Sequence, residues 1–167
     1  YNQVVDNKLG LLSSQMQFEV DGVPASPANL ACSRAKDVII HPAVMPNGKK
    51  TRLLKTLLSS ACERDCFYCP FRAGRDFRRA TFAPEEFARL FMQLHKADLA
   101  DGLFISSALA GGGIRTQEKL LDTAEILRGK LGFRGYIHLK IMPGAEKGQV
   151  FRAMQLADRV SVNLEAP

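Results

Sequence analysis

The chain has 167 residues, of which 46% are hydrophobic and 24% are charged, and its formal net charge at pH 7 is +6. This length and composition predict a globular protein with one sizeable core, which forms one domain or part of one. No signal-peptide pattern opens the sequence, and no apolar run approaches the roughly 18 residues that span a bilayer, so we expect no membrane segment. Four cysteines, three of them clustered, fit metal binding better than a disulfide framework and predict a cytoplasmic protein.

The first half of the chain predicts a strand, a cysteine loop and a helix. Residues 52–59 form an apolar run that predicts a buried strand, and this strand leads directly into the cysteines. A helix is expected to begin near Pro84, because proline and the acidic residues after it suit a first turn. Its buried face follows the i, i+3, i+4, i+7 spacing at Phe87, Leu90, Phe91 and Leu94.

Strands and helices continue to alternate in the second half. A second strand is predicted at 102–109, a third at 135–142 and a fourth at 159–164. Gly111, Gly112 and Gly113 predict a flexible turn, although such a triplet can also approach a ligand or an anion. Helices are predicted at 116–131 and 146–157, with inner stripes at Leu120, Ala124, Leu127 and Leu131 and at Val150, Met154 and Ala157.

This order of elements predicts an α/β fold in which right-handed crossovers connect parallel strands. We expect a partial TIM-like (βα) barrel, with its functional loops at the carboxyl ends of the strands. Residues 1–50 are expected to form an N-terminal extension, and residues 51–167 the N-terminal part of the barrel. Because the sequence starts at Tyr1 rather than at methionine and stops just after the fourth predicted strand, we expect the native protein to continue.

The cysteines have a C-x3-C-x2-C spacing at Cys62, Cys66 and Cys69. Three thiolates this close can hold three corners of a [4Fe–4S] cluster and leave the fourth iron without a protein ligand, whereas electron-transfer clusters normally have four cysteines. An open iron indicates chemistry rather than electron transfer alone. Charged residues between the first two cysteines argue against inert core thiols.

A structural zinc site is the alternative for the same cysteines. Zinc prefers four nitrogen or sulfur ligands, and a fourth would have to fold back from elsewhere in the chain. The candidates are Cys32, His41, His95 and His138. Cys32 stands alone in the sequence and is expected to be a core or loop thiol that the metal site does not need.

Basic residues gather around the cysteine loop. Lys49, Lys50, Arg52 and Lys55 precede it, and Arg72, Arg75, Arg78 and Arg79 follow it. Such a patch can hold the phosphates of a nucleic acid, and the alternatives are a solvated face or the binding of another anion. Phe71 and Phe77 lie among these arginines and are expected either to stack on bases or to anchor the loop to the core.

The cysteine spacing, with the aromatic Tyr68 just before the last cysteine, resembles the radical S-adenosylmethionine (radical SAM) superfamily. The later segments Leu-Phe-Ile-Ser-Ser, Gly-Tyr-Ile-His-Leu-Lys-Ile-Met-Pro-Gly-Ala and Ser-Val-Asn-Leu-Glu-Ala-Pro are similar to its DNA modification or repair group, whose members are associated with uracil-DNA glycosylases. The similarity covers about residues 50–167. It implies a six-stranded partial barrel, of which this chain supplies four strands.

The resemblance also implies a reaction and its partners. Cys62, Cys66 and Cys69 match the ligands of a [4Fe–4S] cluster whose open iron binds the amine and carboxylate of S-adenosylmethionine. A reduced cluster then cleaves S-adenosylmethionine to a 5′-deoxyadenosyl radical, which abstracts a hydrogen atom from the substrate. The implied partners are an electron donor such as flavodoxin or ferredoxin and a DNA or RNA substrate. The alternative function is a zinc-stabilised nucleic-acid-binding module without catalysis.

The resemblance further implies which residues contact S-adenosylmethionine. They are Tyr68, at the position whose backbone meets the adenine, together with Ser106, Ser107, Lys140, Asn163 and Glu165. Ser106 and Ser107 stand where many members have Gly-Gly-Glu for the methionyl amine, so a structural role is the alternative for this pair. Lys140 is expected to face the methionyl carboxylate or to be solvated, and His138 to be a packing residue. No residue in the sequence is an evident general base.

Overall fold

The structure is a computed structural model that describes residues 3–18, 34–35, 38–44, 48 and 50–163. Its helices are α1 (Gln3–Ser14), α2 (Pro84–Lys96), α3 (Gly113–Glu125) and α4 (Lys147–Leu156), with a 3-10 turn at Gln15–Phe18 and a π turn at Ile126–Lys130. Its strands are β1 (Arg34–Ala35), β2 (Val38–Val44), β3 (Lys50–Leu57), β4 (Gly102–Ser106), β5 (Tyr136–Ile141) and β6 (Arg159–Val162). Within these ranges, every helix is too short or too polar to cross a bilayer.

The strands form one sheet in the order β1-β2-β3-β4-β5-β6. Strands β3 to β6 are parallel, whereas β2 runs antiparallel to β3 and the two-residue β1 antiparallel to β2. Pairing aligns Leu54, Leu103 and Ile137 in one row across three strands, and all three are fully buried. The predicted α/β fold with a mostly parallel sheet is therefore confirmed.

Helices α2, α3 and α4 pack on one another in chain order, which places them in one layer beside the sheet. The buried face predicted for α2 is confirmed, because all four of its predicted apolar residues lie in the core. Helix α1 packs against β2 and β3, and Lys8 in α1 forms a 2.8 Å ion pair with Glu86 in α2. Leu9, Leu12 and Ile40 belong to the same hydrophobic core as the parallel strands. The described parts of residues 1–50 thus supply two strands of the sheet, β1 and β2, and a helix that packs on it.

The predicted inner stripe of the last helix is wrong at Met154, whereas Val150 and Ala157 are partly buried. Met154 is 57% exposed, and the buried residues of α4 are Gln149 and Ala153. The reason is polar: Gln149 Nε2 donates to the Ile114 carbonyl and to the Glu118 carboxylate, both at 2.9 Å. These two bonds turn the glutamine toward α3 and rotate Met154 outward.

The boundary between the second strand and the following helix also differs from the prediction. Strand β4 ends at Ser106 rather than at residue 109, and beyond this end the amide of Ala108 donates to the carbonyl of Ser59, in the segment that follows β3. Helix α3 begins at Gly113, three residues before the predicted start. The other predicted strands and α4 agree with the structure within two residues, and residue 164 lies outside the described ranges.

Arginine side chains fix the amino-terminal edge of the parallel sheet. Arg52 in β3 donates from Nε to Asp101 Oδ2 at 3.0 Å and from Nη2 to Asp101 Oδ1 at 2.8 Å, just before β4 begins. Arg128 donates to the carbonyls of Phe133 and Gly135 and forms a 2.7 Å ion pair with Asp158, just before β6. Both arginines therefore tie the start of one strand to a neighbouring segment.

We expect Asp101→Asn to lower the free energy of unfolding at pH 7 by about 1 kcal/mol, a value reduced for the solvent exposure of the pair. Hydrogen bonds from Arg52 lower the pKa of Asp101 from 3.8 to about 2. This carboxylate therefore stabilises the folded state above pH 3.8, and its contribution is lost as the pH falls through about 2.

Urea unfolding between pH 2 and pH 7 measures this effect, with Asp76→Asn as the control because Asp76 is an exposed carboxylate outside the pair. The difference in free energy of unfolding between wild type and Asp101→Asn should become smaller toward acid pH. Equal losses in both variants, or a gap that does not change with pH, would contradict the role assigned to Asp101.

Candidate functional site

A cavity of about 970 Å³ opens at the carboxyl ends of the four parallel strands. Leu57, Ser106, Ile141 and Val162, which stand at the ends of β3, β4, β5 and β6, all line it. Its volume lies at the upper end of the range for small-molecule sites, about 300–1,000 Å³. The predicted position of the functional loops, at the carboxyl edge of the sheet, thus coincides with a cavity in this structure.

The three clustered cysteines line this cavity together. Cys62, Cys66 and Cys69 are all unpaired by disulfides, with Cys66 exposed and the other two half-buried. The loop turns tightly, since the amide of Cys69 donates to the Cys66 carbonyl at 3.0 Å. Burial raises the pKa of the Cys69 thiol, and the neighbouring Cys62 and Cys66 raise it further, so metal binding here must displace a proton.

The donor set fits an iron–sulfur cluster in its chemistry. Three soft sulfur ligands on one short loop face a cavity large enough for a cluster and a further molecule. In the described part of the chain, no three Cys, His, Asp or Glu side chains already stand as a preassembled metal site. A cluster bound by all three thiols would require this loop to close, and Cys66 is the exposed thiol of the three.

No histidine of the described residues lines the cavity. His95 Nδ1 pairs with the Ala100 carbonyl at 2.9 Å, and His138 Nε2 pairs with Ser161 Oγ at 2.7 Å. His41 belongs to β2, at the other side of the sheet from β6, and burial lowers its pKa. Cys32 lies outside the described residues. The fourth ligand that a zinc site needs is thus not brought to the three cysteines by any histidine that the structure describes.

The residues expected to contact S-adenosylmethionine gather at the cavity as far as they are described. Tyr68, Ser106, Ser107, Lys140 and Asn163 all line it, and Glu165 lies outside the described residues. Both serines are buried, and Ser107 Oγ donates to the Ala108 carbonyl at 2.8 Å. Asn163 is exposed at the end of β6, and Tyr68 is 63% exposed on the cysteine loop.

Lys140 is buried at the cavity wall. Its side chain is only 3% exposed, and its Nζ lies 5.8 Å from the centre of the Phe104 ring. The alternative of an outward, solvated lysine is therefore wrong. His138 is packed edge-on against the same ring at 4.5 Å, which confirms its expected role as a packing residue.

The basic patch after the cysteine loop divides into two kinds of arginine. Arg79 donates to the carbonyls of Ser60, Phe71 and Arg72 at 2.7–2.9 Å, so its guanidinium holds the two ends of the cysteine loop together. Arg75 and Arg78 are exposed. Arg72 is half-buried, and its Nε lies 3.7 Å from Asp65 Oδ1. Arg75 and Arg78 are therefore the two arginines of the patch that are most open to a phosphate.

The phenylalanines in this patch serve the loop. Phe71 is buried, and its ring meets Phe77 edge-on at 5.2 Å, so the pair anchors the loop to the core rather than offering an open face to a base. Phe67 is instead 86% exposed, with the guanidinium of Arg72 over its ring at 5.5 Å.

Sequence patterns missed several residues that shape the site. Met142, Pro143 and Gly144 line the cavity after β5, and Gln117 Oε1 accepts the Met142 amide at 2.8 Å. The glycine triplet forms the expected turn, with φ of +82° at Gly111 and +89° at Gly112. For the cavity residues after β5, the only signal in the sequence was the Pro-Gly pair that ends this strand. Gln117 has no local signal, because its partner lies 25 residues away.

Comparison with known proteins gives no relative from which a role could be transferred: no family model matches the chain, and no curated protein sequence matches it significantly.

We expect Cys62→Ala, Cys66→Ala and Cys69→Ala each to lose most of the iron and sulfide that wild type takes up in anaerobic reconstitution. A cluster with only two protein thiolates lacks the ligands that hold it in the loop. The measurement is iron and sulfide per chain, with Cys32→Ala as the matched control. Full retention in Cys66→Ala, or loss in Cys32→Ala, would contradict the assignment.

Proposed function

We propose that this chain forms the cluster-binding part of a radical SAM enzyme that acts in the modification or repair of DNA or another nucleic acid. The observation that carries the proposal is the shared cavity: three closely spaced cysteines and the carboxyl ends of four parallel strands line the same space. Cofactor and substrate sites of α/β folds with parallel strands lie at this edge.

The proposal includes a barrel-like curvature for the sheet. Strands β3 to β6 follow one another in chain order, and helices α2 to α4 pack in one layer. Successive right-handed crossovers in one direction keep all helices on one side, as in a singly wound barrel, whereas a doubly wound sheet reverses direction and carries helices on both faces. The strand order and the helix layer together favour a partial barrel.

In this proposal, Cys62, Cys66 and Cys69 hold a [4Fe–4S] cluster. The chemistry that a bound cluster supplies is one-electron reduction of the sulfonium of S-adenosylmethionine, which yields methionine and a 5′-deoxyadenosyl radical for hydrogen abstraction. The cavity walls position the cofactor and limit the access of water. Half-buried Cys62 and Cys69 keep their sulfurs partly away from solvent, and such burial is one of the factors that set the potential of a cluster.

Lys140 has the charge and position to bind the methionyl carboxylate. It stands near the end of β5, is buried, and lines the cavity with the cysteines. A charge-assisted hydrogen bond in such a place contributes about 1.5–3 kcal/mol. Ser106 and Ser107 lie on the neighbouring β4 end and offer hydroxyl groups to the methionyl amine, and Tyr68 supplies backbone polar groups for the adenine.

The zinc-stabilised binding module is the weaker candidate. It requires a fourth nitrogen or sulfur ligand, and no described histidine reaches the cavity. It also leaves unexplained why the cysteines line a cavity of about 970 Å³ rather than a closed, filled site. A structural zinc site needs no such space.

We expect the protein from its complete reading frame, reconstituted anaerobically and reduced with dithionite, to release 5′-deoxyadenosine from S-adenosylmethionine. In Lys140→Met, the KM for S-adenosylmethionine should rise about tenfold or more, because a charge-assisted hydrogen bond is lost. The measurement is 5′-deoxyadenosine by liquid chromatography, with the exposed Lys130→Met as the control. A fully iron-loaded wild type that releases none would contradict the proposed function.

We expect the same protein to bind single-stranded oligonucleotides through Arg75 and Arg78. In the double Arg→Ala variant, the slope of log affinity against log salt should fall in magnitude by about 1.4, since each single-strand phosphate contact contributes about 0.7. Arg79 is left intact because its removal would release the cysteine loop.

Fluorescence anisotropy across a salt series measures this slope. The control variant removes the same charge from the opposite edge of the sheet, at the exposed Lys130 and Arg134. Equal slopes in wild type and the Arg75/Arg78 variant would place the nucleic-acid contact elsewhere.

A further inference from the structure

We propose that Glu63 is a positioning residue that fixes Cys62 relative to the cofactor cavity, an inference that rests on the proposed function. Glu63 directly follows the first of the three cysteines. Its Oε2 accepts the amide of Gly111 and its Oε1 the amide of Gly112, both at 2.9 Å. Its own amide donates to the Leu109 carbonyl at 2.8 Å. We call these three hydrogen bonds the Glu63 clamp.

The clamp is specific to a carboxylate. Each of its two oxygens takes one amide, and the positive φ angles at Gly111 and Gly112 turn both N–H groups toward the same side chain. The amides come just before α3, a helix of 13 residues whose amino end favours negative charge. An amide side chain has only one accepting oxygen, so Glu63→Gln can keep at most one of the two bonds.

The loop that holds Glu63 is itself fixed from the other side. A Cβ on Gly113 would lie 2.0 Å from the carbonyl oxygen of Pro143, so the start of α3 is in close contact with the loop after β5. Leu109, Pro143 and Gly144 all line the cavity. The clamp therefore connects Cys62 to two of the loops that shape the space for the cofactor.

Arg79 and Glu63 hold the cysteine loop in different ways. Arg79 binds the carbonyls of Phe71 and Arg72, beyond Cys69, and that of Ser60, before Cys62. Glu63 binds the β4–α3 loop, which Arg79 does not contact through these bonds. The Glu63 clamp thus holds the residue next to Cys62 against the β4–α3 loop, whereas Cys66 is exposed.

A purely structural role for Glu63 predicts a different set of effects from a positioning role. If Glu63 only stabilised the start of α3, its loss would lower thermal stability and leave both Cys62 and the bound cofactor unaffected. A positioning role predicts changes at the cysteine and in cofactor binding that exceed the change in stability.

The first test uses the metal-free protein from the complete reading frame. The probe is iodoacetamide, and the rate of alkylation at each cysteine is followed by mass spectrometry. In Glu63→Ala, the rate at half-buried Cys62 should rise about five- to tenfold, as expected for losing charge-assisted hydrogen bonds at an exposed site. The rate at exposed Cys66 should not change. An unchanged rate at Cys62 would overturn the inference.

The second test uses the iron-loaded protein and compares Glu63→Gln with Asp65→Asn, which removes an exposed carboxylate from the same loop. In Glu63→Gln, the KM for S-adenosylmethionine should rise about five- to tenfold, and the change that S-adenosylmethionine produces in the electron paramagnetic resonance spectrum of the reduced cluster should weaken. Glu63→Asp, which keeps the charge, should restore part of both. Asp65→Asn should match wild type.

The outcomes separate this inference from the proposed function. A wild type that binds no cluster or does not cleave S-adenosylmethionine contradicts the proposed function, while the alkylation test still decides whether Glu63 positions Cys62. An active wild type, with Glu63→Gln indistinguishable from Asp65→Asn in KM and spectrum, overturns the positioning role alone.

Discussion

Parallel pairing of β3 to β6 is the constraint on which the candidate site depends. When neighbouring strands run in the same direction and in chain order, every loop that leaves a strand emerges at the same edge. The cysteine loop, the glycine turn and the Pro-Gly turn are far apart in sequence, yet each follows one of these strands. The buried row of Leu54, Leu103 and Ile137 fixes the register of three strands, since a shift of one residue would turn these side chains to the opposite face.

Local sequence patterns predicted correctly those elements whose orientation depends on general burial in the core rather than on one particular long-range contact. Helix α2 follows its apolar periodicity, since its predicted face is buried and its polar contacts, such as Glu86 with Lys8, lie outside that face. Helix α4 does not, because Gln149 makes two hydrogen bonds to α3 that outweigh the burial of Met154. The end of β4 and the start of α3 depend on contacts with Ser59 and Pro143, which are about 30 to 50 residues away and leave no periodic trace.

At the candidate site, too, local patterns were informative and long-range contacts were not visible in the sequence. The cysteines and the strand-end residues could be placed from spacing and alternation, because residue type and topology together bring them to one edge. The roles of Glu63 and Arg79 could not, since both resemble ordinary surface charges in the sequence. Arg79 shows why net charge is a poor guide to a binding surface. Its guanidinium donates hydrogen bonds to three backbone carbonyls, so it stabilises the cysteine loop and is not available to bind a phosphate.

The two edges of the parallel sheet have different surroundings. At the amino edge, Arg52 and Arg128 join strand starts to carboxylates and carbonyls, whereas the carboxyl edge surrounds an open cavity. A molecule that fills the cavity binds at the edge where loops from four strands meet, so its binding free energy adds to the stability of the arrangement of those loops.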